Sequence, residues 1–148
     1  MKYSEKMSNK LNELLTKNYD AEAGYKMAVD KVKNNDLKEF FNMRAKERYD
    51  FGHQIKKEMK TYGEAPEKGT SFKADAHRGW MNLKTAFSND NEEAILEEII
   101  KGEKAAIEEY NKILQEPDFP PTTESILTMQ RDTIKSALND VKAFEKIA

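Results

Sequence analysis

Glu103 shares a helical stripe with Leu96, Ile99, Ile107, Tyr110 and Leu114. An unpaired carboxylate is costly there, because burial strips it of the water that stabilises its charge. Two chemistries can compensate it: a bound metal cation, or a cation supplied by the protein. Glu22 and Glu47 also fall on or beside otherwise apolar stripes, and with Glu103 and with Asp50, three residues after Glu47, they form the candidate ligand set of an oxygen-coordinated metal, iron or manganese. The protein cation is offered by Arg44 and Arg48, which recur with Leu37, Phe41, Phe51, Ile55, Met59 and Tyr62. Asn18 interrupts a third stripe and Gln130 a fourth. Asn18, Glu22, Arg44, Glu47, Arg48, Glu103 and Gln130 are therefore expected to form one buried polar network.

The elements that must position these groups are helices. All four prolines fall in two places, at Pro66 and at Pro117, Pro120 and Pro121, leaving long uninterrupted segments between them. In the first segment Met7, Leu11, Leu14, Asn18, Ala21, Tyr25, Ala28 and Val32 recur at alternating spacings of three and four, the mark of one buried helix face. Asn34, Asn35 and Asp36 make a turn and cap, and the second helix ends before Gly63. The third is predicted to start near Asn91, with Glu92 and Glu93 in its first turn, and to run to about Gln115. The fourth begins at the PPTTE cap and carries Leu127, Gln130, Ile134, Ala137, Val141 and Phe144. The connection over residues 63–90 carries its own short helical pattern at 74–87, with Ala76, Trp80, Leu83 and Phe87 on one side. No strand pattern, internal repeat or low-complexity tail is evident.

Four amphipathic helices of similar length bury their stripes against one another as a bundle. The second connection is far longer than an antiparallel neighbour needs, so it is expected to cross the full height of the bundle, with Trp80 anchoring it and helices two and three parallel. The fold class is thus all-α, a single domain over residues 1–148, in a ferritin-like arrangement with a long helix-containing crossover between helices two and three. Counting from the turns places the polar positions of the four stripes in one layer near mid-height.

Ferritin-like dinuclear carboxylate bundles take a lone Glu from each of two helices and a Glu-x-x-His from each of the others. Glu22 and Glu103 could be the lone glutamates. Glu47 is followed at the right spacing by Asp50 instead of His, with His53 further on, and Gln130 and Thr133 stand where the fourth helix would need Glu and His. Arg44 and Arg48 near the same level disfavour a dication, so the expected arrangement is an ion-pair network with no cofactor, with an iron or manganese site as the alternative. Tyr25 and Tyr110 lie on their stripes as core tyrosines with hydroxyls that could reach the layer.

The segments NYDAEAGYKMA at 18–28, AHRGWMNLKTA at 76–86 and EEAILEEIIKGEKAAIEEY at 92–110 carry a resemblance over nearly the whole chain. The sequence resembles bacterial four-helix-bundle proteins of unknown function grouped with the ferritin-like superfamily. That resemblance implies a ferritin-like helical fold, and it implies no substrate or ligand set.

The composition narrows the function classes. The 25 basic and 27 acidic residues nearly cancel and are interspersed, which argues against nucleic-acid and membrane-surface partners. With no cysteine there is no thiol chemistry or thiolate metal site. No stretch reads as a signal peptide or a membrane span, so the expected compartment is the cytosol. No serine nucleophile with a histidine base, phosphate loop or zinc-type motif is present, so an enzyme is not the expected reading. His53 projects away from its stripe and reads as a surface histidine, and His77 as a partly buried one bonded to backbone or to an acid. Gly24, Gly52, Gly79 and Gly102 interrupt helical patterns at about 1 kcal/mol each, for which close packing or space beside the polar layer is the expected compensation. Met27, Met43 and Tyr49 fall beside the stripes and could widen an exposed patch, so a homodimer is the candidate assembly.

Overall fold

The computed structural model describes residues 4–63 and 91–147, and these form four helices joined by short turns and one long connection. We number them α1 (Glu5–Lys31), α2 (Asn35–Thr61), α3 (Glu92–Ile113) and α4 (Pro121–Ile147). The helical pattern at 74–87, including His77, Gly79 and Trp80, lies outside the described residues.

Each helix starts where its sequence can satisfy the free N–H groups of a first turn. The Ser4 hydroxyl accepts from the backbone of Met7 at α1, and the Asn34 side chain accepts from Asp36 and Leu37 at α2. Asn91 does the same for Glu93 and Ala94 at α3, as its sequence predicts. Pro121 opens α4 with a fixed backbone angle and no N–H to leave unpaired. After α2 the chain turns at Gly63 with φ 82°, a left-handed conformation that a Cβ would strain. α3 stops at Ile113, slightly before the expected Gln115.

Pairwise contacts fix the directions of the helices. α1 and α2 are linked by a short turn and pack antiparallel. Asn18 on α1 meets Tyr110 on α3 while Tyr25 meets Glu103, so those two helices also run in opposite senses. Gln54 meets Gln130, and Glu58 meets Thr122 and Thr123, so α2 and α4 are antiparallel. It follows that α2 and α3 are parallel, and the connection between them joins opposite ends of the bundle. One end is closed where Glu92 accepts the backbone N–H groups of Lys33 and Asn34, at 2.9 and 3.3 Å. The other end is closed by Glu58 with the two threonine hydroxyls, and by Lys10 with Glu116 at 3.0 Å.

The core has two apolar halves. One gathers Tyr25, Leu37, Phe41, Ile95, Leu96, Ile99 and Val141 among others. The second gathers Leu11, Leu14, Phe51, Ile55, Met59, Ile113, Leu127 and Ile134. Burying each such side chain contributes roughly 1.5–3 kcal/mol, so the halves supply most of the drive to fold. Every residue of the α1 stripe predicted from periodicity is buried. On α2 the stripe passes through buried Ala45, and Arg44 turns to the margin, where its guanidinium lies 5.0 Å above the Phe40 ring. Asn18, Arg48, Glu103 and Gln130, each at most 1% exposed, lie between the halves.

A polar layer across the bundle centre

α2 and α3 lie diagonally across the bundle and bring Arg48 and Glu103 together. Arg48 Nη1 donates to Glu103 Oε1 at 2.5 Å, with both side chains 1% exposed. The second carboxylate oxygen accepts from the Tyr25 hydroxyl at 2.7 Å. On its other side Arg48 Nε donates to Asn18 Oδ1 at 2.6 Å. The Asn18 amide then donates to the backbone carbonyl of Leu14 and to the Tyr110 hydroxyl, each at 2.9 Å. The Tyr110 hydroxyl in turn donates a hydrogen bond to Gln130 Oε1 at 2.7 Å. Gln130 Nε2 reaches Gln54 Oε1 at 2.9 Å and the Phe51 carbonyl at 3.3 Å. The bonds therefore run in one direction, from the guanidinium through two amides and a phenol to exposed Gln54, and each polarises the next. Arg48 Nη2 has no hydrogen-bond partner among the described residues.

The surroundings hold the two phenols and the guanidinium each in one protonation state. Burial, followed by the charge of Glu103, pushes the Tyr25 phenol well above its usual value. Burial likewise raises Tyr110 to about 12. Burial alone would depress Arg48, but the Glu103 carboxylate outweighs it with help from Tyr110 and Tyr25, so the guanidinium is held above its ordinary value. Both phenols stay donors and the arginine stays charged, with the carboxylate as its counterion.

Four residues of the expected network meet in this layer: Asn18, Arg48, Glu103 and Gln130. Glu22, Arg44 and Glu47 do not join its hydrogen bonds. The α1 stripe passes through Ala21 and Tyr25, which leaves Glu22 roughly 80° off its centre, half-buried and paired with Lys26 at 2.8 Å. Arg44 pairs with Glu47 at 3.3 Å along the margin of α2. Burial raises Glu47 above the usual carboxylate range, and the charges of Arg44 and Arg48 act against that rise. Asp50 is exposed with Lys46 3.8 Å away, and His53 is exposed with its ring edge-on to Tyr49, centroids 4.4 Å apart. Thr133 returns its hydroxyl to the Met129 carbonyl of its own helix.

The residues that sequence reasoning underweighted are Tyr25, Tyr110 and Gln54. Stripe membership alone marks the tyrosines as core, and only the facing helix tells where a phenol ends. Gly52 is explained by packing, since a Cβ there would lie 3.2 Å from Tyr19 Cε1 and 3.5 Å from Leu15 Cδ1. Gly24 and Gly102 are buried.

The donor set at the bundle centre does not fit a dinuclear carboxylate centre. Of the acids considered for such a site, only Glu103 lies in the layer. Both of its oxygens are engaged by hydrogen-bond donors, one of them a guanidinium that already supplies positive charge. Among the described residues, no three His, Asp or Glu side chains come together as a metal site. No described helix is long and apolar enough to cross a membrane.

The comparisons with known proteins agree with this architecture. A mutant of Mycobacterium smegmatis Dps1 has a similar structure, with a TM-score of 0.75 over 97% of this chain and 99% of that one, at 14% sequence identity. At that identity the likeness concerns the fold, a ferritin-like four-helix bundle. No curated protein sequence matches the chain. Residues 6–116 match the family described as Domain of unknown function, DUF2383. That match takes in α1, α2 and α3 with both charged members of the polar layer, and the chain belongs to this DUF2383 family, here folded as a ferritin-like helical bundle.

Proposed function

We propose that this protein is a binding scaffold: a bundle held in register by an internal ion pair, which acts through its outer faces on a protein partner and carries no metal at its centre. The observation that supports this reading is the engagement of both Glu103 oxygens, one by Arg48 and one by Tyr25. In a dinuclear bundle a carboxylate in that position would turn to a metal; here its counterion is part of the chain. Buried charged and polar groups of this kind serve to select one packing arrangement and register. The 25 basic and 27 acidic residues interspersed along the chain favour a protein over a nucleic acid or a membrane as partner.

The reading is tested by melting Glu103→Gln and the unaltered protein with and without ferrous iron or manganese. Glu103→Gln should lower the melting temperature equally in both conditions, because Arg48 loses its counterion. If the unaltered protein gains stability with metal in proportion to occupancy, and Glu103→Gln abolishes that gain, the bundle centre is a metal site and the reading fails.

A further inference from the structure

The outer face of α2 carries a second stripe, opposite the one buried in the core. Glu39, Met43, Lys46, Asp50, His53 and Lys57 follow one another at alternating spacings of four and three, and all six are exposed. Met43 is 56% exposed, and Tyr49, packed edge-on against His53, is 46% exposed. A seam with this spacing is the one along which two helices can lie side by side.

We propose that this stripe binds a second copy of the chain, the two α2 helices lying antiparallel across a two-fold axis at the level of Arg48. The argument is the order of charges. Inverting the stripe about that level sets Glu39 against Lys57, Lys46 against Asp50 and Met43 against His53. Other levels conflict: an axis at Lys46 or at Asp50 opposes that residue to its own copy. Moving the axis by half a heptad opposes Glu39 to Asp50 in one direction and Lys46 to Lys57 in the other. Like charges in apposition select against those registers. Within one chain Lys46 and Asp50 are 3.8 Å apart and exposed, a contact worth little alone, so both are free to pair across the axis. The Met43 and Tyr49 side chains supply the apolar contact beside these pairs. Such an interface belongs to the small, charge-steered class and weakens with salt.

This inference rests on the outer-face reading above and names the partner, and its test does not involve the bundle centre. The unaltered protein should sediment as a dimer at low ionic strength and shift toward monomer with added salt. Lys46→Asp alone and Asp50→Lys alone should each give a monomer of half the mass, with helix content unchanged. The two together should restore the dimer, because each cross-axis pair reforms with its signs exchanged. The chain has no cysteine, so oxidation of Met43→Cys combined with His53→Cys should yield a cross-linked dimer while neither single variant does. This second readout decides the matter even if a charge reversal fails to fold. A monomer at low salt overturns the proposal. So does a dimer indifferent to single reversals, and so does cross-linking by single cysteines as efficient as by the pair. None of these outcomes bears on the metal test of the bundle centre.

Discussion

Arg48 and Glu103 show how a single buried charge constrains its neighbours. Withdrawn from water, each ion is costly, and the pair is tolerated because Tyr25 satisfies the second carboxylate oxygen and Asn18 the Nε of Arg48, which leaves only Nη2 without a partner among the described residues. The cost of breaking the pair therefore differs from its net contribution. Arg48→Met leaves a carboxylate buried with Tyr25 as its remaining partner in the layer, and should destabilise by about 3–5 kcal/mol. For a domain of this size that corresponds to a loss of roughly 10 °C in melting temperature. Combining Arg48→Met with Glu103→Leu removes both charges and fills the space with apolar atoms. The double variant should recover most of the loss, because a buried pair replaced by apolar groups is often neutral or better. Thermal melts of the two variants side by side check this; a double variant as unstable as the single one would mean that the layer stabilises the fold outright.

At the scale of elements, α1 and α3 meet along a second carboxyl contact, outside the central layer. Glu13 on α1, exposed at the surface, is pushed up to about 7, chiefly by desolvation of its carboxyl against α3 and then by the hydrogen bond and charge of Glu109, against Lys112 and Lys17. A carboxyl raised above its unfolded value binds protons more tightly when folded, so its contribution is fully present below the unfolded pKa. That contribution is lost as pH rises through about 7. Glu47 on α2, raised by burial, has the same sign. The melting temperature should therefore fall as pH is raised from 5 to 8, and Glu13→Gln should flatten that dependence. Melts of the two proteins at several pH values in that window measure it, and equal slopes would show that the helices separate the two acids in solution.

For the whole molecule, the parallel course of α2 and α3 sets a length requirement on the chain between them. A 27-residue helix such as α2 is roughly 40 Å long, and fully extended chain covers about 3.4 Å per residue. Fewer than about 12 residues between Thr61 and Glu92 therefore cannot join the two ends. Internal deletions that leave about eight residues should abolish the monomeric fold, or force exchange of helices between chains, whereas a polar linker of about 25 residues should preserve it. Circular dichroism and size-exclusion chromatography of the two deletion series distinguish these outcomes. A well-folded monomer with the short linker would require α2 and α3 to be antiparallel neighbours, contrary to the contacts of Asn18, Tyr25 and Gln54.

Much of this was legible in the sequence because it depends on local geometry. A helix repeats every 3.6 residues, so the buried stripe of α1, the caps at Asn34 and Asn91 and the start of α4 at Pro121 follow from residue order alone. Glu103 on an apolar stripe by itself required a compensating group, and the charge order on the outer face of α2 is likewise a property of the sequence. The choice of partner was not legible. Arg44 and Arg48 lie one turn apart on the same helix, and only the placement of α2 diagonally opposite α3 decided that Arg48 meets Glu103 while Arg44 meets Glu47 at the margin. The orientation of α1 about its axis likewise decides that the Tyr25 phenol reaches inward to the carboxylate, while Glu22 stays at the margin and pairs with Lys26 one turn on along the same helix. Periodicity specifies which face of a helix is buried; which groups touch across the centre is set by the rotation and height of all four helices together, and those follow from packing the two apolar halves.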